Sequence, residues 1–336
     1  MSTKKLDELR IINNIQTLFS DISLQDMEGI SDDCAVVPIN DVESLVITTD
    51  TLTESTHFLK DKISAYDLGY KSLASNFSDV FSMGAAPMCT FLSIALKKDL
   101  SQEWVDDFLK GYHSLSLKEG VPLLGGDTTM SKHATTITVT AIGKMKTSDI
   151  KRRRGAKVGD IIVVCAPLAA SGVGLNLLLD NQSILYSEDE LKAIKYHTHP
   201  PLYGLEARFL AEQEGVTAMM DISDGIAKDL KHILKLSNCG AKVFCDKLPV
   251  LPFIQEICKE KKWDITELAL CGGEEYSPLF TISADDYKTV KKAYNKRFKK
   301  HFYPIGVITD DSIGGIKWMM KGQVSNKKYK GYVHNK

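Results

Sequence analysis

The sequence predicts an α/β protein of the α+β type with two domains, and three observations lead to this fold class. The chain has 336 residues, more than one ordinary hydrophobic core requires. Apolar segments of strand length alternate with segments of helical periodicity in both halves. Between the halves, residues 146–160 read KTSDIKRRRGAKVGD, a charged stretch with few apolar residues. We interpret this stretch as a hinge, with one domain over residues 1–148 and another over residues 149–336.

The first half is predicted to begin with a helix over Lys4–Phe19, because apolar residues recur there at helical spacing. Apolar patterns then indicate strands in SLVITTD, TFLSIALK, VPLLGGD and ATTITVTAIGKM, with helices near Ala65–Ser75 and Gln102–Lys118. In the second half we predict strands in DIIVVCA, TAMMD, AKVFC, SPLFTIS and FYPIGVIT. Helices are expected between them near Gly172–Leu179, Pro201–Glu214, Gly225–Leu236 and Asp285–Lys299.

The composition is that of an ordinary soluble globular protein, with 43% hydrophobic and 25% charged residues. A formal net charge of −1 gives no electrostatic reason to expect a nucleic acid or an anionic membrane as partner. The opening MSTKKLDELR is polar and precedes no apolar signal segment, and no apolar run is long enough to cross a bilayer. The seven cysteines are scattered without a CxxC pair, which favours reduced thiols and a cytoplasmic location.

Carboxylates and hydroxyls gather where several hydrophobic segments are predicted to end. The five places are Ser31-Asp32-Asp33, Thr48-Thr49-Asp50, Ser78-Asp79, Gly126-Asp127-Thr128-Thr129 and Asp221-Ile222-Ser223-Asp224. Each of them alone is also typical of a helix cap or a tight turn. Together they form an oxygen-only set without His or Cys, which is the preference of hard cations such as Mg²⁺. We therefore predict a magnesium site where these segments converge.

The common nucleotide-binding and hydrolase signatures do not accompany these acids. The sequence has no G-x-x-x-x-G-K-[ST] loop, no G-x-G-x-x-G after a strand, no HRD or DFG segment and no G-x-S-x-G. If phosphates are bound, metal ions, glycine-rich turns and arginines must bind them. The basic run KRRRG, residues 151–155, is either such a phosphate contact or a solvated hinge. We interpret the pair His197 and His199 as a structural loop.

The order of six segments resembles the thiamine-monophosphate kinase family. They are GISDDCAVV, ITTDTLTESTHF, GYKSLASNFSDVFSMGAAP, LLGGDTT, MMDISDGIAKDL and CGGEEYSPLF. This family lies within the superfamily of aminoimidazole-ribonucleotide synthetases, selenophosphate synthetases and hydrogenase maturation factors. The likeness runs from about Gly29 to Tyr332. GGD is shared across the superfamily, whereas TDTLTESTHF followed by SDVFSMGAAP and GGEEY is much more specific.

The resemblance implies transfer of the γ-phosphoryl group of ATP directly onto the phosphate of thiamine monophosphate, by in-line attack assisted by several Mg²⁺ ions. The product would be thiamine diphosphate, formed in the last step of its biosynthesis. It also implies the synthetase-like fold, in which N-terminal domains pair in a homodimer as a shared β-barrel beside C-terminal α/β domains. Each active site would lie in the cleft between the two domains.

The functional residues of the family carry over position by position. Positions that ligate Mg²⁺ are matched by Asp33, Thr48, Thr49, Asp50, Asp79, Asp127, Asp221 and Asp224. The catalytic carboxylates implied among them are Asp33, Asp50, Asp79, Asp127 and Asp221. Nucleotide-contacting positions are matched by Gly126, Asp127, Arg153 and Ser223, and positions around the thiamine by His57, Glu274 and Tyr332.

The match also has departures, and two alternatives stay open. The family usually has Gly at Ser31, Asp at Glu275 and Glu at Ser277, and HTHPPLYG lacks an arginine common near its prolines. Another ATP-dependent synthetase of the superfamily would keep the metal and nucleotide residues and use a different acceptor. A maturation factor would bind nucleotide without turnover. A selenophosphate synthetase would need a reactive cysteine before Gly29, where the sequence has none, and we expect Cys34 to be a buried apolar residue.

Overall fold

The computed structural model describes residues 8–180 and 185–332, and their strands form two sheets. The first sheet has five strands in the order β1-β2-β5-β3-β4. Its strands are β1 (Ala35–Pro38), β2 (Glu43–Thr53), β3 (Ala86–Lys97), β4 (Leu123–Ser131) and β5 (Thr136–Lys146). The helices of this half are α1 (Glu8–Leu18), α2 (Ala65–Ser82) and α3 (Gln102–Glu119).

The second sheet has seven strands in the order β12-β11-β8-β10-β6-β9-β7. They are β6 (Ile161–Val164), β7 (Val216–Asp221), β8 (Gly240–Phe244), β9 (Pro278–Ile282), β10 (Tyr303–Thr309), β11 (Ile316–Met320) and β12 (Gln323–Val324). The helices are α4 (Ala170–Leu179), α5 (Glu188–Thr198), α6 (Gly204–Ala211), α7 (Ile226–Leu236), α8 (Pro252–Lys261), α9 (Ile265–Cys271) and α10 (Tyr287–Phe298). The predicted α/β fold class, with one sheet in each half of the chain, is therefore confirmed.

Helix α2 occupies the centre of the molecule. It begins at the N-cap Ser64, whose hydroxyl accepts a hydrogen bond from the backbone N–H of Asp67, and almost all of its residues are buried. It crosses α3 at backbone distance: a Cβ on Gly69 would lie 2.0 Å from the Phe108 carbonyl oxygen, and one on Gly111 would lie 1.8 Å from that of Tyr66. These two glycines therefore fix how closely α2 and α3 approach.

The seven-stranded sheet is buried on both faces. In and directly after β6, Val163 and Cys165 belong to the hydrophobic core shared with the first half, whereas Ile162 and Val164 belong to a second core. The shared core also contains residues of α2, α6 and α10, and the second core contains residues of α4, α7, α8 and α9. Because β side chains alternate between faces, one sheet divides the two cores.

Residues 146–160, the stretch interpreted as a hinge between domains, are held against both halves. Ile150 and Ala156 are buried, and the Lys151 ammonium donates to the backbone carbonyls of Gln213 and Val216, both at 2.9 Å. Within KRRRG, the solvated alternative therefore does not hold for Lys151. The hinge interpretation and the boundary at residue 149 stay predictions.

Other differences concern the bounds of elements. Asp50 and Asp127 were expected at strand ends, but they lie inside β2 and β4, because both strands continue through polar residues. Helix α2 continues to Ser82, beyond the predicted end at Ser75. Elements that the sequence reading missed are β1, α5, α8, α9, β11 and β12. Of the predicted first helix, residues 4–7 fall outside the described part of the chain. Among the helices that are described, none has the length and apolar character that a membrane span requires.

Candidate functional site

Three carboxylates from different parts of the chain meet between the two sheets. Asp33 precedes β1, Asp79 lies in the last turn but one of α2, and Asp221 ends β7. One carboxylate oxygen from each lies within 4.8 Å of the other two. Asp33 and Asp221 are buried, the latter with 2% of its surface exposed. Within the described residues, the structure thus brings together the predicted acids of both halves.

A hydroxyl group holds one oxygen of each carboxylate. Asp79 Oδ2 accepts from Thr48 Oγ1 at 2.6 Å, and Asp221 Oδ2 accepts from Ser78 Oγ at 2.7 Å. Asp33 Oδ2 accepts from Ser82 Oγ at 2.6 Å. Since Ser78 and Ser82 are four residues apart, they lie on the same face of α2. The helix thereby orients the acids that flank it.

The neighbouring acids disfavour the ionisation of Asp221 and Asp79. Burial, followed by the charge of Asp33, raises the pKa of Asp221 to about 7, while the Ser78 hydrogen bond and Arg153 oppose the shift. Burial and the charges of Asp50, Asp221 and Asp33 raise the pKa of Asp79 well above its usual range. Asp221 Oδ1 is buried and has no hydrogen-bond partner among the residues that the structure describes. An orphaned oxygen in an all-oxygen acidic cluster fits a hard divalent cation.

Arg153 donates hydrogen bonds to both acids of the loop before β1, Asp32 and Asp33. Its backbone N–H is 3.1 Å from each oxygen of Asp32, and its Nε donates to Asp33 Oδ1 at 2.9 Å. Its Nη2 also donates to Asp33 Oδ1. Burial, followed by the charge of Asp33, raises the pKa of Asp32 to about 6. Arg153 is therefore a cation at the edge of the cluster, as the phosphate interpretation of KRRRG requires.

The other two arginines of this run bind Glu28. Arg152 donates to both of its oxygens, at 2.8 and 2.5 Å, and Arg154 donates to Oε2 at 2.9 Å. Arg152 does not face water, because only 20% of its side chain is exposed. Arg154, with 61% of its side chain exposed, is the solvated member of the three.

Of the three matched residues on β2, Thr48 and Asp50 point toward the cluster and Thr49 does not. Thr48 is buried against Asp79, and Asp50 lies two residues further on the same face of the strand. Partial desolvation, followed by the charges of Asp224 and Asp33, raises the pKa of Asp50. Thr49 lies on the opposite face, where its hydroxyl donates to the Val139 carbonyl at 3.2 Å. Its side chain is therefore turned away from the cluster.

Asp127 and Gly126 lie elsewhere on the first sheet. In β4, Asp127 pairs with Ser93 of β3, and β5 separates β3 from β2. Three strand spacings of about 4.8 Å place Asp127 roughly 14 Å from β2. Within one chain, the described residues therefore do not bring Asp127 to the cluster. Gly126 has φ 152°, and a Cβ there would lie 1.7 Å from the Leu92 carbonyl oxygen, so the position requires glycine.

The loop after β7 presents Ser223 and Asp224. Their backbone N–H groups both donate to Asp229 Oδ2 at 3.1 Å, so this buried carboxylate fixes the loop. Asp224 forms an ion pair with Lys228 at 2.6 Å. Sequence reasoning assigned no role to Asp229, the third acid of AMMDISDGIAKDL. Asp229 lies in the first turn of α7, directly after the loop, and this position could have indicated its contact with the loop backbone.

Two of the three residues matched to the thiamine side, Glu274 and Tyr332, contact this loop. The backbone N–H groups of Glu274 and Tyr332 donate to the carbonyls of Ser223 (2.8 Å) and Asp224 (3.0 Å). His57 Nδ1 accepts from the Thr53 N–H at 3.0 Å, so His57 also closes a turn. Burial raises the pKa of Glu274, but the charges of Lys71, His197 and His57 outweigh this effect and lower the pKa below its usual value. Tyr332 is 44% exposed beside the loop.

Two residues missed by sequence reasoning contact Glu274. The Lys71 ammonium, on α2, donates to Glu274 Oε2 at 2.7 Å, and His197 Nδ1 lies 3.2 Å from the same oxygen. A lysine in a polar-looking helix gave no signal of this role. His199 contacts Asp67 at 2.7 Å, a structural contact as expected, whereas His197 lies in α5 and not in the predicted loop. Cys34 is buried, which confirms its interpretation.

Comparison with known proteins covers nearly the whole chain. Residues 31–145 match the family AIR synthase related protein, N-terminal domain, and residues 157–319 match its C-terminal domain. The chain is 34% identical over 330 residues to the thiamine-monophosphate kinase of Buchnera aphidicola subsp. Acyrthosiphon pisum, covering 98% of this chain and 99% of the relative. It is 33% identical over 307 residues to that of Escherichia coli K12, covering 91% of each.

The fold is also similar to a solved structure with ligands. AaThiL complexed with AMPPCP and TMP superposes with a TM-score of 0.83 at 26% sequence identity. The alignment covers 99% of this chain and 100% of that one. The similarity therefore includes both sheets and the region between them.

Proposed function

This chain belongs to the thiamine-monophosphate kinase family, and on that premise we propose that it transfers a phosphoryl group from ATP to thiamine monophosphate. The product is thiamine diphosphate. The observation that carries the proposal is the cluster of Asp33, Asp79 and Asp221, which joins both halves of the chain. The complex of a structural relative with AMPPCP, an analogue of ATP, and TMP supports the same pair of reactants.

The cluster suits a reaction between two anionic phosphates. Asp33, Asp79 and Asp221 would hold Mg²⁺, with Thr48, Asp50 and Asp224 at their edge. Bound there, Mg²⁺ neutralises phosphate charge and orients the reacting oxygens for in-line transfer. The hydroxyls of Thr48, Ser78 and Ser82 keep the three carboxylates in place before substrates arrive. No general base is required, because a phosphate monoester with a second pKa of about 6 is already ionised at neutral pH.

The nucleotide is proposed to contact Arg153 and Ser223, on opposite sides of the cluster. Arg153 offers a guanidinium whose partners are the acids of the same cluster. The turn at Ser223 has its backbone fixed by Asp229, so its hydroxyl is presented by a rigid loop. Burial of the surrounding residues excludes bulk water, which strengthens these charged contacts. Gly126 is assigned to the nucleotide by the family resemblance.

The acceptor is proposed to lie at His57, Glu274 and Tyr332. The Glu274 carboxylate suits the positive charge of a thiazolium or the amino group of the pyrimidine. Tyr332 offers an exposed ring beside the Asp224 carbonyl, where a flat cationic ring could stack. The phosphate of the acceptor would then face the acids, a few residues away along the same loop.

A homodimer is proposed to complete the site. Strand β4 is exposed along most of its length, and it is an edge strand. An exposed edge with apolar side chains is a surface that a second copy would cover. In such a dimer Asp127, remote from the cluster of its own chain, could face reactants across the interface. The proposed cytoplasmic reaction requires no other partner.

The test is incubation of the protein with ATP, Mg²⁺ and thiamine monophosphate, with product identification by chromatography. We expect ADP and thiamine diphosphate in equal amounts, no reaction with unphosphorylated thiamine, and none after removal of Mg²⁺ with a chelator. Asp79→Asn should lower turnover by orders of magnitude, because it removes charge from the centre of the cluster. Turnover of an aminoimidazole precursor or selenide instead, or ATP binding without any turnover, would contradict the assignment.

A further inference from the structure

A buried lysine at the centre of α2 joins the two halves of the chain. Lys71 is 1% exposed, and its ammonium donates to Glu274 Oε2 at 2.7 Å and contacts His197 Nε2 at 3.1 Å. Burying an ammonium group costs several kcal/mol unless it is paired and hydrogen-bonded. A stable fold does not require this lysine, because an apolar residue would fill the same position without that cost.

The contacts determine which nitrogen of His197 carries the proton. An ammonium group can only donate hydrogen bonds, so His197 Nε2 must accept from Lys71. The proton of the neutral ring then lies on Nδ1, which is 3.2 Å from Glu274 Oε2 and 3.2 Å from Ser171 Oγ. Burial, followed by the charge of Lys71, lowers the pKa of His197 to about 4, so the ring is neutral near pH 7.

Both donors converge on a single oxygen of Glu274. The contacts of Lys71 and His197 with this carboxylate both fall on Oε2, and 25% of the side chain is exposed. The backbone of Glu274 has φ 59°, a left-handed conformation that a non-glycine residue adopts only where its surroundings hold it. The side chain is thus held at one oxygen, while the other can turn to a ligand.

We propose that Lys71 and His197 are positioning residues that hold the Glu274 carboxylate against the cationic, amine-bearing part of the acceptor substrate. The inference rests on the proposed function, since it assigns that role to Glu274. Lys71 and Asp79 are eight residues apart on α2, which is about 12 Å along the helix axis. One rigid helix therefore sets the distance between the contact for the acceptor's cationic end and the acids that face its phosphate.

A neighbouring contact of the same kind provides a matched control. Asp67, one turn before Lys71, pairs with His199 at 2.7 Å, and the Tyr70 ring stacks on His199 at 3.7 Å between centroids. These residues join the same helix to the same segment, but they do not contact Glu274. Removing the Asp67–His199 pair tests whether a weaker contact between α2 and this segment is enough to change the binding of the acceptor.

The experiment compares Lys71→Met with Asp67→Asn in steady-state kinetics and thermal unfolding. Lys71→Met should raise the KM for thiamine monophosphate about tenfold or more, the usual weight of a hydrogen bond to a charged group, and change the KM for ATP less than about twofold. Asp67→Asn should leave both constants near wild type, even where it lowers the Tm. In a Glu274→Gln background, Lys71→Met should add little, because both changes act on one contact.

A second pair of variants covers the case in which Lys71→Met fails to fold. His197→Leu removes the donor to Glu274 and should raise the KM for thiamine monophosphate, whereas His197→Asn places an amide N–H near the position of Nδ1 and should restore most of it. Equal effects of these two variants, equal rises in both KM values, or an Asp67→Asn effect like that of Lys71→Met would overturn the proposal. Wild-type protein that does not convert thiamine monophosphate would instead refute the proposed function itself.

Discussion

Asp221 combines deep burial, an orphaned oxygen and acidic neighbours, and this makes the stability of the metal-free protein dependent on pH. Its pKa in the folded chain, about 7, lies above the value of about 3.9 expected for an unfolded chain. A folded state that binds the proton more tightly loses stability as pH rises between these two values. The loss of folding stability caused by the buried, ionised Asp221 carboxylate is therefore small near pH 4 and fully present above pH 7.

We expect Asp221→Asn to raise the Tm of the chelator-treated protein by several degrees at pH 8 and hardly at all at pH 4.5. Thermal unfolding of wild type and variant across this range measures the difference. Mg²⁺ at pH 8 should stabilise the wild type more than the variant. Asp285→Asn, at an exposed aspartate between β9 and α10, is the control. A Tm difference that does not vary with pH would contradict this account.

Within KRRRG, Arg153 is proposed to contact the nucleotide, whereas Arg152 has a structural contact with Glu28. Arg153→Ala should raise the KM for ATP about tenfold or more, because a guanidinium bound to phosphate forms charge-assisted hydrogen bonds. Arg154→Ala removes the same charge from an exposed position and should leave that KM near wild type. Arg152→Ala should lower the Tm through loss of its pair with Glu28. Similar KM values in the Arg153 and Arg154 variants would remove Arg153 from the nucleotide site.

At the scale of elements, the final described segment docks on the loop after β7. A Cβ on Gly331 would lie 2.6 Å from the Asp224 carbonyl oxygen, so this segment approaches the loop at backbone distance. It carries Tyr332 to the proposed acceptor site. Stacking on a cationic ring contributes about 0.5–2 kcal/mol, which corresponds to roughly 2- to 30-fold in affinity.

Tyr332→Ala should therefore raise the KM for thiamine monophosphate within that range and leave the KM for ATP unchanged. Tyr332→Phe keeps the ring and should behave like the wild type. Steady-state kinetics with each substrate varied in turn provides the measurement. An alanine variant indistinguishable from the phenylalanine variant would show that the ring has no part in binding.

Strand β4 has apolar side chains in solvent along the edge of the first sheet. Leu124 is 62% exposed, and Met130 is 58% exposed. Obligate interfaces typically bury about 2,000 Å² or more, and a charge placed inside one is strongly destabilising. We expect a homodimer by light scattering at micromolar concentration, and a monomer for Leu124→Asp.

The control for this experiment is Leu117→Asp, at an apolar side chain on α3 that is 71% exposed. It should remain dimeric if β4 forms the interface. If Asp127 serves across the interface, the Leu124→Asp monomer should also lose activity while its Tm stays measurable. A wild-type monomer would refute the dimer, and with it this role of Asp127.

At the scale of the whole molecule, the sequence predicted the fold class and the acids that meet at the cluster. These acids could be found because each stands beside hydroxyls or glycines in a recognisable segment. The position of Asp127 could not be predicted, because strand order decides that β4 lies three strands from β2. Lys71 was missed because a lysine within a helix usually faces water. Lys71 is buried because α2 packs between both halves of the chain. The local sequence pattern does not predict this packing.

Missed elements have local explanations of the same kind. Helix α5 has a capping box, in which Ser187 and Glu190 bond each other's backbone N–H groups, and that signal was present in the sequence. Helix α8 begins with Pro252, a normal first helical residue that could have indicated the start of this helix. Strands β11 and β12 are short and lie at one edge of the sheet, where the apolar alternation is weak.

The shared hydrophobic core has a consequence for how the chain is made. The first half emerges from the ribosome before β6, β9 and α10, although side chains of these elements complete its core. At roughly 5–20 residues per second, about 150 further residues take some 8 to 30 seconds to synthesise. During this interval the nascent first half exposes the apolar face that Phe280, Ile282 and Tyr294 later cover. This protein should therefore bind chaperones while it is being translated, and slowing translation after β5 should increase its aggregation in the cell.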